Sequence, residues 1–251
     1  MHARLATKVE YALPLYDARI AQGPKGMTPL TLVIADDHPL FRAALTEAVG
    51  RHFSGARIIE ASSLDTLRRA IVEHPDADLI LLDLRMPGAR GFSSLLYLRA
   101  EHPTVPVIVV SAAEDASVVR RALDFGASGF IPKSARIETI GEVLRTVLGG
   151  GVSAPRMPNN LARAELQDRE SARRLSTLTP QQLKVLVLLA EGQSNKYIAA
   201  NLAITEATVK AHITGILRKL GIERRTQAAI LAQRLLQTGE RADVNGLDDD
   251  G

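Results

Sequence analysis

Four apolar runs that each end in a polar or charged group restrict the fold of this chain more than any other feature. Leu32-Val-Ile-Ala35 leads into Asp36-Asp37, and Leu79-Ile-Leu-Leu82 leads into Asp83. Val107-Ile-Val-Val110 leads into Ser111, and Gly129-Phe-Ile131 leads through Pro132 into Lys133. A fifth strand-like run, Arg57–Glu60, falls between the first two. Runs this apolar read as strands covered on both faces. Helical patterns separate them. One comprises Leu40, Phe41, Ala44, Leu45 and Ala48, whose i, i+1, i+4, i+5, i+8 spacing predicts a single core-facing stripe. Alternating β and α elements predict a doubly wound parallel sheet of five strands, a flavodoxin-like α/β fold. Ligands of such sheets bind outside the carboxyl ends of the strands. Asp36, Asp37, Asp83, Ser111 and Lys133 should therefore meet in one pocket.

Three crowded carboxylates do not all stay ionised unless a cation joins them. Oxygen ligation with waters retained suits Mg²⁺. A metal-bound Asp can act as a nucleophile and form an aspartyl-phosphate. Lys133 and the Ser111 hydroxyl would neutralise and hydrogen-bond the transferred phosphoryl oxygens. Any one of these Asp residues could instead cap a helix or end a strand. The full set, in this order, favours the pocket.

A length of 251 residues accommodates two ordinary domains. The absence of cysteine rules out disulfides and thiolate metal sites and fits a reducing cytoplasm. No run of eighteen apolar residues and no signal-peptide core is present, so the expectation is a soluble cytoplasmic chain without membrane contact. Charge is uneven. Residues 30–148 hold 13 Lys/Arg against 15 Asp/Glu, a net of −2. Residues 176–238 hold 8 against 3, a net of +5, and residues 239–251 hold one Arg against five acids, a net of −4. A basic C-terminal unit beside a mildly acidic one points to a polyanionic partner. The expected organisation is an N-terminal extension over 1–28, an α/β domain over 29–148, a linker over 149–175, an all-α domain over 176–238 and an acidic, disordered tail over 239–251. Gly149-Gly-Gly151 opens the linker by breaking the last α/β helix.

From Leu178 onward only helical periods occur. Thr179-Pro-Gln-Gln182 has Thr at N-cap, Pro at N1 and Gln at N3. It starts a helix whose apolar face is Leu183, Leu186, Val187 and Ala190, ended by Gly192. Ser194 can cap a second helix with Ile198, Ala199 and Leu202 inside. Thr205 can cap a third with Val209, Ile213, Ile216, Leu217 and Leu220 inside, leaving Lys210, Ala211, Thr214 and Arg218 outside. A tight turn at Ala203-Ile204 makes a helix-turn-helix whose third helix can enter a major groove. A fourth helix, about Thr226–Gln237, carries Ala228, Leu231, Ala232 and Leu235, more apolar surface than covering a small core needs. A four-helix module with a merely solvated basic face would show the same periods.

Both halves resemble known families. Asp36-Asp37, Asp83, Ser111 and Lys133, in that order, resemble the receiver domain of bacterial response regulators over Leu30–Leu148. The resemblance implies Asp83 as phospho-acceptor, Asp36, Asp37, Asp83 and the Arg85 backbone carbonyl as Mg²⁺ ligands, and Ser111, Lys133 and the aromatic Phe130 as switch residues. Two departures from the family matter. Ser134 follows Lys133 where many receivers have Pro, and Arg85 and Ala113 occupy positions that tune phosphoryl lifetime. Leu178-Thr-Pro180, Leu189-Ala-Glu-Gly-Gln-Ser-Asn-Lys196, Thr208-Val-Lys-Ala-His212, Arg218-Lys-Leu-Gly221 and Arg225-Thr-Gln-Ala228 resemble the LuxR-type DNA-binding domain of NarL/FixJ regulators. This resemblance implies base contacts from Lys210, Ala211 and Thr214, with Arg218 on the same face. It also implies phosphate contacts from Ser194, Asn195, Lys196, Thr208 and His212, and a dimer helix bearing Ala228, Leu231 and Leu235. Gln181-Gln182 replaces the family's usual Arg-Glu.

The two resemblances together imply a two-component response regulator. Its partners would be a sensor histidine kinase, double-stranded DNA with inverted-repeat half-sites, a second copy of itself when phosphorylated, and RNA polymerase. Two alternatives remain open at the level of sequence: a phosphorelay sink and a phosphorylation-independent DNA-binding regulator. No P-loop and no kinase ATP-binding motif is present, so a nucleotide-driven enzyme is not expected.

Overall fold

The computed structural model describes residues 29–89, 91–156, 170–171, 173–175 and 177–236. The expected N-terminal extension, most of the linker and the acidic tail lie outside the described residues. The α/β domain runs β1 (Thr31–Ala35), α1 (Pro39–His52), β2 (Arg57–Ala61), α2 (Leu64–Glu73), β3 (Leu79–Asp83), α3 (Ser93–Glu101), β4 (Val107–Ser111), α4 (Ala116–Asp124), β5 (Gly129–Pro132), α5 (Ile137–Leu148). All pairings are parallel and the strand order is β2-β1-β3-β4-β5. The expected doubly wound sheet is therefore present, with its order reversing between β1 and β3. Asp83 and Ser111 are the last residues of their strands, one position beyond the expected apolar runs.

The two-residue period of a strand divides the sheet's side chains between two cores. Leu32, Ile34, Leu79, Leu81, Ile108, Val110 and Ile131 pack with α1 and α5. Val33, Ala35, Ile80, Leu82, Val107, Val109 and Phe130 face the α2, α3 and α4 side. Both faces are covered, which is why the strands read as continuous apolar runs. On α1 the buried residues are Leu45, Ala48 and Val49, whereas Leu40 is 89% exposed. The expected stripe holds at Phe41, Leu45 and Ala48, which face the core, while Leu40 at the helix start points to solvent. The expected linker also begins later than Gly149. The chain turns back through Gly150, and Ser153 joins the free edge of β5 with Phe130 N–H donating to its carbonyl at 2.9 Å.

The second domain comprises α6 (Pro180–Ala190), α7 (Asn195–Asn201), α8 (Glu206–Leu220) and α9 (Arg225–Leu236). All three expected N-caps are made. Thr179 and Gln182 close a capping box, Ser194 accepts from Tyr197 N–H, and Thr205 accepts from Thr208 N–H. Gly221 ends α8 in the left-handed region at φ +67°, where a Cβ is unfavourable. Ala203, in the turn between α7 and α8, has φ +52°, the only non-glycine positive φ among the described residues. Ala203 tolerates this because its side chain is a single methyl, and the strain of order 1–3 kcal/mol is held by the flanking helices.

The domains touch where α3 meets α6. Lys184 Nζ lies 2.9 Å from a Glu101 carboxylate oxygen, and Arg121 on α4 donates to the carbonyl of Arg234 on α9 at 3.3 Å.

The exposure of Leu40 generates a paired prediction. Leu81→Ala opens a cavity between the sheet and its helices and should cost about 2–5 kcal/mol. Leu40→Ala, chemically the same change, should stay within about 0.5 kcal/mol. Chemical denaturation of the two variants checks this; a large loss at Leu40 would mean that α1 buries its first turn.

Candidate functional site

The site lies at the carboxyl ends of β1, β3, β4 and β5, beside the point where the strand order reverses. Asp36 is fully buried and Asp83 nearly so, with Ser111 at 1% exposure beside them. Lys133 Nζ reaches both carboxylates, 2.8 Å from Asp36 Oδ2 and 2.7 Å from Asp83 Oδ2. It also sits 4.9 Å from the centre of the Phe41 ring. The Asp83 carboxylate is held on its other side by Arg85 N–H, which donates to Oδ1 at 3.0 Å. Arg85 thus contributes its backbone N–H here, a contact different from the expected carbonyl ligand, while its side chain is exposed. Ala113 N–H donates to Ser111 Oγ at 3.1 Å, and Lys133 N–H to the Ser111 carbonyl at 2.8 Å. Phe130 is 1% exposed and faces the core on the α3/α4 side. The peptide bonds of the described residues, Lys133–Ser134 included, are trans, and Ser134 Oγ donates to Glu114 at 2.5 Å.

The electrostatics follow from burial and from Lys133. Desolvation raises the Asp83 carboxyl above its ordinary range, against the opposing pull of Lys133 and of the Arg85 N–H. For Lys133, burial works to lower the pKa, but the hydrogen bonds to Asp36 and Asp83 and their charges outweigh it, so its pKa is raised. The ammonium therefore stays charged at neutral pH.

Asp36, Asp37, His38 and Asp83 place one ligand atom each within 4.8 Å of one another. The Asp37 carboxylate faces the mouth of the pocket and is partly exposed. Asp36 Oδ2 is buried against Lys133 Nζ at 2.8 Å, and Asp37 Oδ1 against His38 Nδ1 at 2.8 Å. Three carboxylates meeting in a mostly oxygen-lined pocket fit a hard divalent cation. His38 was not anticipated among the site residues; the only signal was its place between Asp37 and Pro39.

The second candidate site is the outer face of α8. Thr208, Lys210, Ala211, Thr214 and Arg218 are exposed with both domains in place, and His212 is half-buried. Ser194 and Lys196 are exposed at the start of α7. Several hydroxyls have a structural duty already. Ser194 Oγ and Thr205 Oγ1 cap helices, Thr208 Oγ1 lies 2.8 Å from Thr205 Oγ1, and Thr214 Oγ1 donates to the Lys210 carbonyl at 3.1 Å. Asn195 is anchored by Arg225, whose guanidinium donates to its Oδ1 at 2.6 Å and to the Gln193 carbonyl at 2.5 Å. That clamp ties α9 to the start of α7.

On α9 the expected dimer surface needs correction. Ala228 is 1% exposed and belongs to the domain core together with Ala232. Leu231 is half-buried, the side chain of Leu235 lies outside the described residues, and Ile230 is 65% exposed. An i, i+3, i+4 pattern marks the apolar side of a helix but not which part of it a core already covers.

Comparison with known proteins agrees with both halves. Residues 32–145 match the response regulator receiver domain, and residues 176–232 match the luxR family of bacterial regulatory proteins. The glycerol metabolism activator of Pseudomonas putida is 42% identical over 207 residues, covering 80% of this chain and 94% of the relative. The nitrate/nitrite response regulator protein NarP of Escherichia coli (strain K12) is 36% identical over 209 residues, covering 81% and 94%. Among solved structures, RcsB from Salmonella enterica serovar Typhimurium bound to promoter P1flhDC aligns with a TM-score of 0.48 at 22% identity, over 84% of this chain and 99% of that one. The chain belongs to the transcriptional response regulators that join a receiver domain to a LuxR-type DNA-binding domain.

Proposed function

We propose that Asp83 is the phospho-acceptor of this regulator and that its phosphorylation controls dimerisation and DNA binding. The observation that carries this reading is the convergence of Asp83, Lys133, Ser111 and Asp36 on one strand-end pocket. In the proposed step an Asp83 carboxylate oxygen attacks phosphorus, a P–O bond forms, and the P–N bond to the kinase histidine breaks, with the imidazole as leaving group. Asp36, Asp37, Asp83 and the Arg85 backbone carbonyl would hold Mg²⁺, which supplies charge neutralisation to the phosphoryl oxygens when bound. Lys133 already contacts Asp83 and is placed to transfer its hydrogen bond to a phosphoryl oxygen. Ser111 stands on the adjacent strand as a second donor, with Phe130 moving alongside it. The chain acts as a regulator and not as an enzyme, in the cytoplasm. A sensor histidine kinase, inverted-repeat half-sites in double-stranded DNA, a second copy of the chain and RNA polymerase are its partners. Among the described residues no helix is long and apolar enough to cross a membrane.

On the DNA side, Lys210, Ala211 and Thr214 read base edges from α8, with Arg218 on the same face. Ser194, Asn195, Lys196, Thr208 and His212 meet phosphates, with Ser194 donating through its O–H while its oxygen caps α7. Ile230 and Leu231 form the remaining apolar surface of the dimer helix.

Three expectations test this reading. Asp83→Asn should abolish acid-labile phosphorylation by acetyl phosphate or kinase while the protein stays folded; label retained at wild-type yield by that variant would refute the acceptor. The same variant has a pH signature in metal-free buffer. A carboxyl raised by folding binds protons more tightly in the native state, so its ionisation opposes folding as pH rises through that window. Asp83→Asn should therefore be more stable than wild type at neutral pH, with the advantage shrinking towards acid, as thermal melts across pH would read. For DNA, Lys196→Ala should weaken binding to all sequences and flatten the log K against log salt slope by roughly 0.9 for its lost phosphate contact. Thr214→Ala should change the preference between operators by about 1–3 kcal/mol per base contact. A Thr214 variant weakened equally on every sequence would remove that residue from base reading.

A further inference from the structure

We infer that Arg225 is a positioning residue for the phosphate contacts at the start of α7, holding them from the dimer helix without touching DNA itself. This rests on the proposed phosphate contacts of Ser194, Asn195 and Lys196 and adds the group that sets them. The Arg225 guanidinium donates to Asn195 Oδ1 at 2.6 Å and to the Gln193 carbonyl at 2.5 Å. These two anchors flank Ser194, whose Oγ accepts from Tyr197 N–H at 3.2 Å and whose carbonyl accepts from Ile198 N–H at 2.9 Å. The residue that opens α7 is therefore gripped on both sides by one planar fork. Such a fork fixes direction as well as distance, which a single ammonium does not.

A helix as short as α7 needs that hold. It has seven residues, and isolated helices of under about 12–15 residues are marginal in water. Its buried residues, Ile198 and Ala199, seat its middle on the core, while Ser194 and Lys196 are exposed at its start. A helix seated only at its middle can pivot, and a pivot displaces its ends most. The chain enters it through Gly192, in the left-handed region at φ +78°. Gln233, also on α9, donates through Nε2 to the Ala190 carbonyl at 2.6 Å, so α9 holds both sides of the turn between α6 and α7. The same helix carries the exposed Ile230, so pairing through α9 and the grip on phosphate share one rigid element. Phosphate contacts set a protein's register on the duplex, and a displaced α7 would shift α8 over the bases.

Titration of the full-length protein onto a fluorescent mixed-sequence DNA duplex, which reads phosphates rather than bases, tests this across a range of KCl. Arg225→Ala should weaken binding and flatten the log K against log salt slope by roughly 0.9, as Lys196→Ala does. The double variant Arg225→Ala/Lys196→Ala should be no flatter than either single one, because both remove the same contact. Arg225→Lys keeps the charge without the fork and should flatten the slope as well, which keeps the test open if Arg225→Ala does not fold. A wild-type slope in either Arg225 variant, with folding verified by circular dichroism, would overturn the inference. A double variant flattened by both amounts would make Arg225 a phosphate contact in its own right and would likewise overturn it. If Lys196→Ala leaves the slope unchanged, the phosphate reading of α7 itself fails, and the inference falls with it.

Discussion

Lys133 stands 2.7 Å from one buried carboxylate and 2.8 Å from another, and the other end of its side chain belongs to a third strand. Burying a charge without a partner costs several kcal/mol, and Asp36 and Asp83 are both almost wholly removed from water. The ammonium makes that burial tolerable. In doing so it ties the ends of β1, β3 and β5 to one point. β4 lies between β3 and β5 in the sheet, so the same tie brings Ser111 into the group, with the Lys133 N–H on the Ser111 carbonyl. The pocket is thus a consequence of strand order. A sheet with these strands in another sequence would leave at least one carboxylate buried alone.

Much of this was legible in the amino-acid sequence because parallel strands buried on both faces leave a long apolar signature. Each strand's final polar residue then stood out against it. What escaped was decided by neighbours distant in sequence. Leu40 fits a helical stripe, but at the helix start Phe41 takes the core-facing place and Leu40 is left in solvent. Ala228 fits an apolar surface, but α6 and α8 already occupy that side of α9. His38 carries no periodic signal at all. Its place beside the carboxylates depends on Asp36 accepting its N–H, a local geometry that composition does not encode. Ser153 was read as linker because glycines precede it; the unpaired edge of β5 recruits it.

The DNA-binding domain was more transparent, since helix caps are local chemistry. Thr179, Ser194 and Thr205 each satisfy an N–H that helix geometry leaves without a partner. Those caps set where α6, α7 and α8 begin, and hence which residues face outward on α8. The Arg225 clamp was quoted within a motif but not understood from it. Its guanidinium spans from α9 to Asn195 and the Gln193 carbonyl, fixing the segment that leads into α7. Asn195 therefore has an oxygen committed to the fold, and its part in any DNA contact falls to its remaining polar atoms.

Ser153 on the edge of β5 has a mechanical consequence. Its carbonyl accepts from Phe130 N–H and its own N–H donates to the Ser128 carbonyl, so the chain leaving the receiver is stitched to the strand that carries Phe130 and leads into Lys133. A sideways displacement of β5 cannot leave Ser153 behind without breaking those two bonds. The chain therefore leaves the receiver along the strand that leads into the lysine of the pocket, so pocket and exit share one strand.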